Sequence, residues 1–358
     1  MTSGPKPGYV PALDWMKAIG IALIVHGHVA ARTAEWLTPP FYPKQVGVAL
    51  FVFATGFTLA RERRSVAQIL FNRLFEVMVV ALAAAAAMSA VGLVLFHDPA
   101  ESNYLPLVGL HVLLGDLPAN PTTWYVGTYL HLLLVWALVF RRRRPSWKVV
   151  RLVFALDIGV RAALVVLGGP HRAYMAVFNW LDILLVGSVM GRTDVEAAPP
   201  RWWAAAVVPV AWPVAVGAAG WLPSFPFMTL TNVGPLTGAL VLSGTVSVGY
   251  AAYTWSIWTI TRLLPAAAWV RFLSRNTIVV FVAHMPVYYL LEYTLARPVP
   301  GFAVRAAIEF VICLVGLAFV SEWIHRAGYL RSMKQWLEVR LGWSPGAAPV
   351  AGDSIVHE

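Results

Sequence analysis

Residues 13–30 read LDWMKAIGIALIVHGHVA, a stretch apolar enough to cross a membrane that still carries Asp14, Lys17, His26 and His28. An ionisable side chain at the centre of a bilayer costs on the order of 2.5–3.5 kcal/mol, so such groups are kept where a helix face lines protein or water rather than lipid. A helix advances about 100° and 1.5 Å per residue. Lys17 and His28 therefore share a face, about 20° apart and roughly 16 Å along the axis, and Asp14 lies within about 40° of the same stripe. His26 points about 200° away from His28, towards a different neighbour. On this helix alone the plainer readings weigh equally: Lys17 snorkelling to the interface, Asp14 capping the helix, His28 bonding a carbonyl.

The remaining sequence sets the class. Of 358 residues, 59% are hydrophobic and 12% charged, with a mean hydropathy of +0.68; soluble domains carry about 25% charged residues. With spans of about 20 residues, about ten candidates lie at 12–31, 45–61, 74–96, 122–140, 148–168, 173–191, 202–221, 236–261, 275–296 and 303–325. The expected fold is an all-α polytopic membrane bundle with about ten transmembrane helices. Residues 104–118 are too short and interrupted to span, and read as an interfacial or re-entrant helix. The first segment reads as a retained helix rather than a cleaved leader.

Basic residues orient the bundle. One set of loops holds Arg61, Arg63, Arg64 and Arg73, the run RRRR at 141–144 with Lys148 and Arg151, then Arg192, Arg201, Arg262, Arg271 and Arg275. The tail adds Arg326, Arg331, Lys334 and Arg340, against Arg32, Lys44, Arg172 and Arg297 on the other side. Cytoplasmic loops are the basic ones, which places both termini in the cytoplasm. The divisions expected are a cytoplasmic segment 1–11, a membrane domain 12–325 and a cytoplasmic tail 326–358. The net charge of +10 thus reports orientation and contact with anionic lipid, not nucleic acid. The single cysteine, Cys313, excludes an internal disulfide, and no ligand spacing indicates a metal centre. No internal repeat of the transporter kind is visible.

Four stretches carry a family pattern in order. The first helix has Leu-Asp, two residues, Lys17, ten residues, His28; the second reads GVALFVFATGFTLARERR, the fourth opens WYVGTYLHLL, and the ninth reads LSRNTIVVFVAHMPVYYL. Together, over about 13–325, they resemble the acyltransferase-3 family of integral-membrane O-acyltransferases. That family pairs a basic residue with a histidine ten residues on, then has Ser-Gly-Phe, a WFL-like middle helix and a late histidine before proline. Here Lys17 stands for the usual arginine, keeping charge but losing the planar fork. Thr55-Gly56-Phe57 replaces Ser-Gly-Phe, and Arg73-Leu74-Phe75-Glu76 replaces a basic pair. No fused extracytoplasmic hydrolase-like domain is expected.

The resemblance implies transfer of an acyl group, acetyl foremost, from acyl-CoA (acetyl-CoA) as co-substrate to a hydroxyl of a cell-envelope glycan or related acceptor. It implies no permanently bound cofactor and a multi-pass protein of a bacterial cytoplasmic membrane. His28 is the expected general base, since an imidazole titrates near working pH. Lys17 and Arg73 are the expected donor contacts, holding CoA phosphates. Asp14, Thr55, Trp124, Tyr125, His131, Asp182 and His284 are further candidates to line the cavity. For His284 the expected role is structural, bonding backbone freed by Pro286; for Trp124 and Tyr125 an aromatic belt is the plainer reading. Two acid–base spacings, Asp157/Arg161 and Arg305/Glu309, suggest mutual neutralisation at i, i+4. The alternative function is a polytopic transporter or flippase of glycan-linked substrates, with Asp182 and Arg161 along its pathway.

Overall fold

The structure, a computed structural model, describes residues 9–29, 43–98, 101–115, 117–192, 202–218, 235–296, 298–299 and 301–343. Asp116, Arg32, Arg201 and Arg297 lie outside them. Among the described residues every regular element is helical. In chain order the helices are α1 (Pro11–Val29), α2 (Pro43–Ala60), α3 (Val66–Phe96), α4 (Trp124–Val135), α5 (Trp147–Gly168), α6 (Pro170–Met175) and α7 (Leu181–Met190). They continue with α8 (Trp202–Ala218), α9 (Pro235–Thr261), α10 (Ala268–Arg275), α11 (Thr277–Leu295), α12 (Phe302–Val311), α13 (Leu317–Ala327) and α14 (Tyr329–Arg340). A π-turn at Trp136–Phe140 extends α4, and another at Ile312–Gly316 joins α12 to α13.

Among the described residues, four helical stretches are long and apolar enough to cross a membrane by themselves: Val66–Phe96, Leu236–Thr261, Thr277–Leu295 and Phe302–Ala327. The expected sixth span is not one rod. Between α6 and α7 the chain unwinds, and Asn179 Nδ2 and Trp180 Nε1 both donate to the Tyr174 carbonyl at 3.1 Å, satisfying backbone that the break exposes. The stretch 104–118 is not an α-helix either but two 3₁₀ segments, Glu101–Val108 and His111–Leu114. His111 plugs this strap into the bundle, its Nε2 lying 3.0 Å from Thr128 Oγ1 and 3.2 Å from the Met175 carbonyl oxygen. Burial pushes the His111 imidazole down to about 4, which keeps the anchor neutral.

Small residues set the packing at the centre. α1 crosses α2 with Gly20 against Gly47, so closely that a β-carbon on Gly20 would lie 3.1 Å from the Gly47 carbonyl oxygen. α2 crosses α7 in the same way: Gly56 rests on the Leu184 carbonyl, and Ser188 Oγ donates to the Gly56 carbonyl at 3.2 Å. Close backbone approach through small residues is how membrane helices gain contact without a hydrophobic driving force. Gly56→Ala puts a β-carbon into backbone that has nowhere to retreat. We expect it to remove about 1–3 kcal/mol of stability, read as a lower melting temperature of the detergent-solubilised protein. An unchanged melting temperature would show that the crossing yields.

Arg61, Arg64 and Arg141 gather at one end, about the turn between α2 and α3. Arg61 Nε donates to the Gly191 carbonyl at 2.8 Å and lies over the Phe57 ring. Arg141, first of the RRRR run, donates to the carbonyls of Glu62 and Arg64 at 3.2 and 2.8 Å; it buttresses the turn between α2 and α3 as well as being a surface charge. In that turn the Arg64 guanidinium holds the Glu62 carboxyl below the usual carboxylate range. At the same end Trp343, beyond α14, stands edge-on to the Phe71 ring at 5.4 Å.

Candidate active site

The stripe on α1 opens into two cavities in succession. The first, about 210 Å³, lies towards the arginine-rich end and is lined by Lys17, Thr55, Arg73 and Tyr125 with Phe51 and Glu76 among others. It brings together both expected donor contacts and the threonine of the Thr-Gly-Phe motif. Arg73 is fixed by a 2.9 Å bond from its guanidinium to Thr58 Oγ1, and Lys17 lies within electrostatic reach of Asp14 and Arg73. Asp14 does not line this cavity. Its two oxygens accept from the Tyr9 and Ser274 hydroxyls at 2.5 Å each, tying α1 to α10. Glu76, in place of a second basic residue, accepts from or pairs with His325 Nε2 at 2.8 Å, while His325 Nδ1 lies 3.3 Å from Asn276 Oδ1. The acid at that position is thus answered by a histidine on α13.

The second cavity, about 200 Å³, is lined by His28, Lys44, Trp124, Tyr174 and Tyr288 with Leu117 of the strap and Pro121 and Thr122 of the turn before α4. Lys44 was not singled out by its sequence, although a lone lysine on the sparsely charged side of the membrane is the signal that marks it. Its stem passes over Gly27, and its charge reaches both His28 and His284. Trp124 is buried against Tyr174 at 4.5 Å and Trp180 at 5.8 Å; it belongs to the cavity wall rather than an aromatic belt, because the turn before α4 tucks under the strap. Asn120 makes that turn, accepting from Thr122 Oγ1 at 2.6 Å and from Thr123 Oγ1 on its carbonyl at 2.8 Å. Thr123 therefore does not cap the helix with its side chain.

His26 and His28 part as their spacing requires. His26 is exposed, edge-on to Phe310 at 6.3 Å, whereas the His28 ring lies 5.1 Å from that of His284. The carbonyl that Pro286 leaves without its helical partner is that of Val282, and Asn120 Nδ2 takes it at 3.0 Å. His284 does not serve that purpose: its Nδ1 sits 3.0 Å from the Val280 carbonyl oxygen, so Nε2 is the lone-pair nitrogen, buried beside His28 without a hydrogen-bond partner among the described residues.

Four of the expected cavity residues line neither cavity: Asp14 and His284, placed above, and His131 and Asp182. His131, half-buried, lies against Gly109 and 5.3 Å from the His111 ring. Asp182 sits in a buried cluster with Asp157 and Arg161. In that cluster Arg161 does not close an i, i+4 ion pair with Asp157; it donates to the Ser243 carbonyl on α9 at 2.9 Å. Arg305 and Glu309 do pair, at 3.8 Å.

A cation-bearing chamber at the basic end, followed along the same face of α1 by a second chamber that holds an imidazole, a cation from α2 and aromatic walls, suits a reaction with a large anionic donor and a small neutral reacting centre. The family model described as an acyltransferase domain, that of acyltransferase-3, matches residues 10–326. No curated protein and no solved structure matches the chain. With nearly its whole length covered, the chain belongs to the acyltransferase-3 family and is a membrane acyltransferase of the O-acyl-transferring type.

Proposed function

We propose that the protein moves an acyl group, acetyl in the first instance, from cytoplasmic acyl-CoA to a hydroxyl of a cell-envelope glycan, with His28 as general base. The observation that carries this reading is the succession of the two cavities along one face of α1, Lys17 on one and His28 on the other. The arginine-rich end faces the cytoplasm by the positive-inside rule, both termini lie on that side, and the chain crosses a bacterial cytoplasmic membrane about ten times, the shorter and broken helices included. CoA enters from that end, its phosphates meeting Lys17 and Arg73.

The acceptor sugar occupies the second cavity, where Trp124, Tyr174 and Tyr288 offer ring faces and the strap covers it. His28 takes the hydroxyl proton as the oxygen attacks the thioester carbonyl. The C–O bond forms, the C–S bond breaks, and the proton passes to the departing thiolate. The Lys44 ammonium stabilises the negative charge that develops on the carbonyl oxygen, and His284, behind the ring, holds His28 in place.

Inside-out vesicles given labelled acetyl-CoA test the reading. Label is expected in the envelope carbohydrate fraction only when the protein is present. Failure with acetyl-, butyryl- and octanoyl-CoA alike would overturn it. Lys17→Met is expected to raise the KM for acetyl-CoA roughly tenfold or more, the worth of one charged hydrogen bond, with a smaller change in kcat. An unchanged KM would remove Lys17 from the donor site.

A further inference from the structure

Among the described residues, Phe281 alone lines both cavities. Phe281 is 7% exposed; its ring stands edge-on to Tyr125 at 5.2 Å and Phe51 at 6.1 Å, both on the donor side, and lies 6.5 Å from His284, whose ring adjoins His28 of the second cavity. The expected donor cations and the expected base are thus on opposite sides of one side chain. Resting on the acyl-transfer reading above, we propose that Phe281 is the partition between donor and acceptor chambers, displaced by the entering thioester, and that it sets the length of acyl chain the enzyme accepts.

The chemistry requires such a passage. The thioester carbon must bond the acceptor oxygen while His28 holds its proton, so the acyl end of the donor has to cross the plane of the Phe281 ring. The partition is built to yield. Its neighbours are edge contacts between rings, weak beside the burial that holds the bundle. One turn further along α11, Pro286 removes the hydrogen bond to the Val282 carbonyl, and Asn120 replaces it from another segment. A helix whose ladder is interrupted beside the ring can shift that ring without unwinding. While closed, the partition keeps water in the donor chamber from meeting His28; open, it admits as much acyl chain as the displaced ring vacates.

Two readouts test this in the full-length protein. The first does not depend on catalysis. In a Cys313→Ser background, Val48→Cys places a thiol on the acceptor chamber, and a small charged methanethiosulfonate is applied to inside-out vesicles from the basic face. With Phe281 present the thiol is expected to react slowly; with Phe281→Ala it should react about tenfold faster or more, the effect of removing roughly 1.4 kcal/mol of barrier. Equal rates in the two, at equal thermal stability, would overturn the partition.

The second readout is CoA release from acetyl-, butyryl- and octanoyl-CoA without acceptor. Phe281→Ala is expected to raise acceptor-free hydrolysis and to shift the octanoyl-to-acetyl ratio upward by about tenfold, and Phe281→Trp to lower that ratio. A ratio unmoved by either variant would overturn the role in chain length. No CoA release by any variant, with or without envelope acceptor, would instead overturn the acyl-transfer reading, while the thiol rates still decide whether Phe281 divides the cavities.

Discussion

His28→Ala is expected to lower acetyl transfer by about 10²- to 10⁴-fold, the usual loss when a positioned general base is removed, with little change in the KM for acetyl-CoA. The geometry behind the second expectation is the separation of the two cavities: Lys17 and Arg73 belong to one and His28 to the other, so donor affinity and proton transfer are carried by different side chains. His28→Gln should be nearly as slow, since an amide fills the space but takes no proton at neutral pH. His26→Ala is the matched control. That ring is exposed against Phe310, and its loss should leave the rate near wild type. The measurement is initial rate of label transfer at matched protein levels, with thermal stability recorded for each variant. Near-normal rates in folded His28→Ala would remove His28 from the mechanism. Protein quenched in denaturant at neutral pH after incubation with labelled acetyl-CoA but no acceptor separates two roles for the ring: a base leaves no label on His28, whereas an acyl-histidine, which acid would hydrolyse, retains it.

The face of α1 was legible because helical period and membrane energetics act on the same residues. Lys17 and His28 share a stripe by arithmetic alone, and the structure opens that stripe into cavities. The Thr-Gly-Phe motif was legible as a pattern but not as a crossing. That Gly56 lies under the Leu184 carbonyl depends on α7, far along the chain, and nothing local announces it. Breaks were harder than spans. Hydropathy treats 173–191 as one apolar run, while the polar reach of Asn179 and Trp180 back to Tyr174 decides that it bends. Lys44 escaped because a lysine near a helix start reads as an interfacial anchor, and only its passage over Gly27 turns it inward. Asn120 escaped for a related reason: its partner, the Val282 carbonyl, becomes available only because Pro286 sits four residues beyond it on another helix. Spacing within an element can be read from sequence; a bond whose need is created on one element and met from another cannot.

The buried charges on α5 and α7 give the second large effect. Arg161→Leu is expected to remove about 3–5 kcal/mol of stability, the loss seen when one member of a buried charged group is deleted. Arg161 and Asp157 are fully buried and Asp182 nearly so. Each acid is held by backbone, Asp157 Oδ2 accepting from the Asp182 amide at 2.9 Å and Asp182 Oδ1 from the Ile183 amide at 2.7 Å. The guanidinium is fixed in turn by the Ser243 carbonyl, so α5, α7 and α9 meet at this cluster. Without the cation two carboxyl groups remain in an apolar interior, and at least one must take up a proton or draw in water. Arg161→Leu combined with Asp182→Leu should recover part of the lost stability, because removing both partners leaves less unanswered charge than removing one. A melting temperature unchanged in Arg161→Leu would show that the cluster holds nothing together. The same pair of variants weighs the transport alternative. A conduction pathway through Asp182 and Arg161 would be abolished by the double substitution however well the protein folds. The cluster lines neither cavity, so acyl transfer by the refolded double variant should persist, with its rate following the folded fraction rather than the charge.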